Sequence, residues 1–70
     1  MKIGFLVKQY LEERGVSQAF LARAVGVSVQ TMNAICNDRQ TMSAELYYAI
    51  CRVLGLPFDY FYKKVEEAAG

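Results

Sequence analysis

Apolar side chains recur along this chain at the spacing of helices rather than strands. Ile3, Leu6, Val7, Tyr10 and Leu11 follow the i, i+3, i+4, i+7, i+8 pattern of one helix face. This predicts a first helix over about residues 2–14, stopped by Gly15, with the Arg14 cation near its carbonyl end. Ser17 is a good cap for a short second helix that turns Leu21, Ala22 and Val25 inward and ends at Gly26. Ser28 caps a third, with Met32, Ile35 and Cys36 on one side and Gln30, Thr31, Asn33 and Ala34 around the rest of the cylinder. After a loop, NDRQTM, Ser43 caps a fourth helix with Glu45 in its first turn, an inward stripe of Leu46, Ile50, Val53 and Leu54, and Gly55 as its stop. Pro57 fits the opening of a fifth, in which Phe58, Phe61, Tyr62 and Val65 share a face, Lys63 and Lys64 stay wet, and the final EEAAG frays. No alternating strand pattern interrupts the series, so the expected fold is all-α, one domain of five short helices over residues 1–70.

Composition narrows the function. Seventy residues make one domain and bury a modest core, with room for a helix cluster but not for an enzyme cleft. The chain has no histidine, and its few carboxylates lie along exposed faces without a nucleophile or base in reach, so catalysis is not expected. Cys36 and Cys51 form no CxxC pair, which argues against a zinc site or other metal; both fall at apolar helix positions and read as buried, reduced thiols. No cofactor is implied. The run IGFLV is too short for a membrane span or a signal-peptide core, so a cytoplasmic protein with no membrane partner is expected. A net charge of +1, from eight basic and seven acidic side chains, neither announces nor excludes a nucleic-acid partner.

The segment of residues 17–36 has the outline of a helix-turn-helix unit: two short helices joined by a glycine-containing turn. Ala22 is small where the helices must cross, Gly26 makes the turn, and Met32 and Ile35 fill the angle between the helices. On these residues alone an αα-hairpin with no DNA role stays open. The longer stretches YLEERGVSQAFLARAVGVSVQTMNAI and SAELYYAICRVLGLPFDYFY resemble the Cro/C1-type helix-turn-helix proteins, the XRE family, over nearly the whole chain. The resemblance implies a lambda-repressor-like fold whose third helix enters the major groove of double-stranded DNA.

Carried over position by position, the resemblance implies that Gln18 holds a phosphate and that Ser28, Val29, Gln30, Asn33 and Ala34 read bases. The chemistry of those side chains suits A·T pairs. The amides of Gln30 and Asn33 match adenine N6 and N7, and the methyl groups of Val29, Thr31 and Ala34 suit the thymine methyl. Val29, three residues before Met32, also fits an inward position, and both readings stay open here. Affinity has to come mostly from phosphates. Arg39, with Asn37 and the backbone N–H groups of Gln40 and Thr41, is the best clamp after the third helix, and Arg14 and Arg23 add to the charge of that half.

Three departures from the family pattern bear on the site. A buried arginine–glutamate pair seen in many members is replaced by Leu11 and Cys36, which are expected to meet in the core; losing both charges together avoids an uncompensated buried ion. The glycine after the third helix is Asp38, which tolerates a left-handed backbone, and the loop proline is Met42. Pro57 is followed by Phe58, Tyr60, Phe61 and Tyr62, more aromatic surface than one short helix buries in so small a domain. Phe58 and Phe61 suit the core, and Tyr60, Tyr62 and one of Tyr47 or Tyr48 suit an interface; all of the fifth-helix aromatics are candidates for a homodimer contact. The function expected is a sequence-specific DNA-binding transcriptional regulator, a repressor of phage or mobile-element type that binds a palindromic operator as a dimer. The alternative is a protein-interaction module, such as an anti-repressor or antitoxin-like adaptor.

Overall fold

The computed structural model describes residues 3–69 and contains five helices: α1 Ile3–Arg14, α2 Gln18–Val25, α3 Val29–Cys36, α4 Ala44–Leu54 and α5 Tyr60–Ala69. Three serines start helices by the same chemistry. The hydroxyl oxygens of Ser17, Ser28 and Ser43 accept from the backbone N–H of Phe20, Thr31 and Leu46 at 3.0, 3.0 and 3.1 Å, satisfying donors that the first turn leaves free. Gly26 ends α2 in a left-handed conformation (φ 82°), which lets its own N–H and that of Val27 both donate to the Ala22 carbonyl oxygen. Among the described residues no single helix is long and apolar enough to cross a membrane.

The core joins all five helices. Leu6, Val7, Leu11, Leu21, Ala22, Met32, Cys36, Ile50, Cys51 and Phe61 are buried in one cluster, and Ile35 is buried as well. Leu11 and Cys36, expected to stand in for an ion pair, both belong to that cluster. Phe61 is its aromatic centre, with edge-on rings from Tyr10 at 5.9 Å, Tyr60 at 5.0 Å and Tyr47 at 6.3 Å. Burial pushes the thiols of Cys36 and Cys51 up, so both stay neutral and poorly nucleophilic.

Two expected packing patterns are corrected. On α4, Leu46, Ile50 and Leu54 pack inward as expected, but Tyr47 and Cys51 are buried beside them and Val53 is turned out, 39% exposed. Tyr47 is drawn inward by the rings of Phe61 and Tyr62 on α5, at 6.3 and 5.1 Å. The fifth helix starts at Tyr60 rather than at Pro57. The Tyr60 N–H donates to the Pro57 carbonyl oxygen (3.1 Å), making residues 57–60 a turn, and the helical hydrogen bond of Lys63 to Asp59 follows it. Phe58 is consequently outside the helix and 50% exposed, packed on Tyr47 and Tyr48 at 5.4 and 5.2 Å. At the other end α5 runs to Ala69; Lys2 and Gly70 lie outside the described residues.

Candidate nucleic-acid interface

The unit formed by α2 and α3 sets the geometry of the site. A three-residue link, Gly26, Val27 and Ser28, turns α3 by 114° from α2. That angle is within the range of helix-turn-helix units. Met32, Ile35 and Cys36 anchor one side of α3 in the core, and the other side faces outward. Val29 is on the outward side, 48% exposed, which corrects the inward reading. Gln30 and Asn33 are exposed, and Thr31 and Ala34 are half-buried.

The outward side chains differ in what already occupies them. Ser28 Oγ donates to Thr31 Oγ1 at 2.9 Å while accepting from the Thr31 N–H, so these two hydroxyls serve the start of the helix. The amide of Gln30 makes no hydrogen bond among the described residues. Asn33 is engaged on both sides. Its Nδ2 donates to Gln18 Oε1 at 3.4 Å, and its Oδ1 accepts from Arg39 Nη2 at 2.9 Å. Gln18 and Arg39, expected as separate phosphate ligands, are thus brought together across the face of α3.

The exit from α3 is built on Asn37 and Asp38. Asn37 Nδ2 donates to the Asn33 carbonyl oxygen at 2.8 Å, and Asn37 Oδ1 accepts from Lys8 Nζ at 3.2 Å. Asp38 takes the left-handed backbone expected of it, with φ 58°. Gln40 and Thr41 follow as exposed loop residues whose N–H groups donate to no backbone carbonyl among the described residues. Lys8 is a functional candidate that sequence reasoning missed. It lies 29 residues from Asn37 and reaches it because α1 packs against the end of α3. No local pattern announces such a contact. Together Lys8 and Arg39 place two cations at the carbonyl end of α3, where the helix dipole favours them.

A helix-turn-helix family model matches residues 7–61, from the middle of α1 to the start of α5. The chain belongs to the XRE-type helix-turn-helix family. A relative of this XRE-type chain from Rhodospirillum rubrum, named "uncharacterized transcriptional regulator in ATPase CF(0) region", is 34% identical to it over 64 residues. The aligned part is 91% of this XRE-type chain and 59% of that protein, so the chain spans about three fifths of the length of the curated relative it matches.

The aromatic residues divide unevenly between core and surface. Phe61 is 0% exposed and fills the core, which removes it from any contact surface, and Tyr47 is 3% exposed for the same reason. Tyr60 is half-buried against Tyr10 at 5.7 Å. Tyr48 on α4, Phe58 in the turn before α5 and Tyr62 on α5 remain outside, Phe58 and Tyr62 each against the Tyr47 ring and Phe58 against Tyr48, and form an exposed aromatic patch around Tyr47. Among the described residues no group of three or more His, Cys, Asp or Glu is placed to hold a metal ion.

Proposed function

We propose that this chain is a sequence-specific DNA-binding regulator of transcription, acting as a two-fold dimer and most simply as a repressor at a palindromic operator. The observation that carries this reading is the outward side of α3. A two-turn helix, anchored by three buried side chains, presents the outward Val29 methyls and Gln30 amide, and Gln18 and Arg39 meet at Asn33 on the same helix. Gln30 pairs with adenine, Val29 and Ala34 contact thymine methyls, and Ser28 and Thr31 hold the helix entry close to the backbone. Phosphates are held by Gln18, Arg39, Asn37 and the N–H groups of Gln40 and Thr41. The name of the Rhodospirillum rubrum relative supports a role in transcription.

The patch of Tyr48, Phe58 and Tyr62 is proposed as the two-fold contact, which would set the two reading helices about 34–36 Å apart on one face of the duplex. Dimerisation compensates for the low charge of one protomer, because it doubles the phosphates neutralised in each complex. The test is selection of duplexes from a randomised library by the unmodified protein, followed by binding to the selected duplex over a range of salt. The expected result is an A·T-containing inverted repeat bound with steep salt dependence. Recovery of no preferred sequence, with no retention on random duplex at low salt, would overturn the reading. It would favour a protein-interaction module that uses the same aromatic patch.

A further inference from the structure

We infer that Asn33 is a positioning residue for phosphate contact and not a base reader, which rests on the DNA-binding reading above and refines it. A guanidinium donates and never accepts, so the Asn33 atom 2.9 Å from Arg39 Nη2 must be the amide oxygen. That fixes the Asn33 nitrogen toward Gln18, 3.4 Å away, where the facing atom must be an acceptor. Gln18 therefore turns its oxygen inward and its own NH2 outward. A relay of three side chains results, with donors at both free ends: the Gln18 amide at the start of α2 and the remaining guanidinium N–H groups of Arg39 after α3.

Phosphate oxygens are acceptors, and donors at both ends match two of them. Adenine recognition by Asn33 demands a different arrangement. Both amide atoms must face one base edge together, one donating to N7 and one accepting from N6. Here the two atoms face opposite flanks. Turning them to a base releases Gln18 and Arg39, exchanging two oriented phosphate ligands for one base contact.

The backbone of Asn33 is held in the same way. Its carbonyl oxygen accepts from Asn37 Nδ2, and Lys8, which also only donates, fixes the Asn37 oxygen toward itself. Cations at both outer positions, Lys8 and Arg39, thus impose one orientation on the amides between them. The unengaged amide of Gln30 is left as the hydrogen-bonding reader on α3.

The experiment compares Asn33→Ala, Gln30→Ala, Arg39→Gln and the double variant Asn33→Ala/Arg39→Gln, using the duplex selected by the unmodified protein and a random duplex. Thermal unfolding serves as the folding control. Asn33→Ala is expected to weaken both duplexes by the same factor, about three- to tenfold, and to lower the salt slope by about 1. The double variant should bind no more than about twofold worse than Arg39→Gln alone, because the relay is already broken. Gln30→Ala should relax preference at one base pair and leave the salt slope unchanged. The inference is overturned if Asn33→Ala loses discrimination at a single A·T pair with its salt slope intact, or if its effect multiplies in full with that of Arg39→Gln. If Arg39→Gln and Gln30→Ala also leave DNA binding untouched, the DNA-binding reading itself fails, a separate outcome.

Discussion

Gly4 of α1 lies so close to Ile35 of α3 that a Cβ added at position 4 would overlap the Ile35 carbonyl oxygen and come within 2.9 Å of Asp38 Oδ1. This bare patch of backbone lets α1 approach the end of α3, and the approach brings Lys8 within reach of Asn37. A glycine inside a helix ordinarily costs about 0.5–1 kcal/mol relative to alanine. At this position the close approach outweighs that cost. Gly4→Ala is expected to destabilise the protein by about 1–3 kcal/mol, the range for forcing extra volume into a packed contact. Urea unfolding checks it; a variant as stable as the parent would mean that α1 and α3 separate without penalty.

Tyr47 offers a second test. Its ring is buried, and among the described residues its hydroxyl has no hydrogen-bond partner. Burial, with the Cys51 thiol nearby, pushes its phenol up to about 12 from 10. The folded state therefore holds this proton more tightly than the unfolded chain. Its contribution is fully present below pH 10 and is lost as pH rises toward 12. Tyr47→Phe should be neutral or stabilising by about 1 kcal/mol at pH 7, since it removes an unpaired buried polar group. The variant should also lose less stability than the parent between pH 9.5 and about 11.5, read by denaturant titration at each pH.

Asp38 holds a left-handed backbone and sets a negative charge next to Arg39 in the proposed phosphate clamp. Asparagine tolerates the same conformation without the charge. Asp38→Asn is expected to leave thermal stability within about 0.5 kcal/mol and to tighten DNA binding about two- to fivefold at low salt, an effect that fades as salt rises. Fluorescence anisotropy at two ionic strengths measures both parts.

The aromatic patch predicts an assembly phenotype. Phe58→Ser and Tyr62→Ser remove exposed surface, so each should keep its helical circular dichroism while shifting sedimentation from dimer to monomer. Loss of helical signal along with the dimer would instead assign these rings to the protomer's own stability.

Much of the fold was legible because it is written locally. Ser17, Ser28 and Ser43 cap helices through donors three residues away, and Gly26 and Gly55 stop helices through their own backbone, so each signal and its effect lie within one turn. The width of the α4 stripe was not legible. Tyr47, Cys51 and Val53 are all apolar, and only neighbouring helices decide that the first two are buried and the third exposed. Pro57 suits either a turn or a first helical position, and the hydrogen bond from Tyr60 selects the turn. The site divided along the same line. Val29, Gln30 and Arg39 could be nominated from their positions, whereas the Gln18–Asn33–Arg39 relay and the Lys8 contact join residues 6 to 29 apart and exist only after folding.

The brevity of α3 has a consequence for how such a protein changes. Eight residues make a helix about 12 Å long, well short of the roughly 12–15 residues at which an isolated helix becomes marginally stable in water. Its shape is therefore borrowed from Met32, Ile35 and Cys36, which are buried, while Val29 and Gln30 lie exposed on the other side. On the proposed reading, substitutions at those two outward positions would change which sequence is recognised while the fold persists, so that one scaffold could move between targets by single steps.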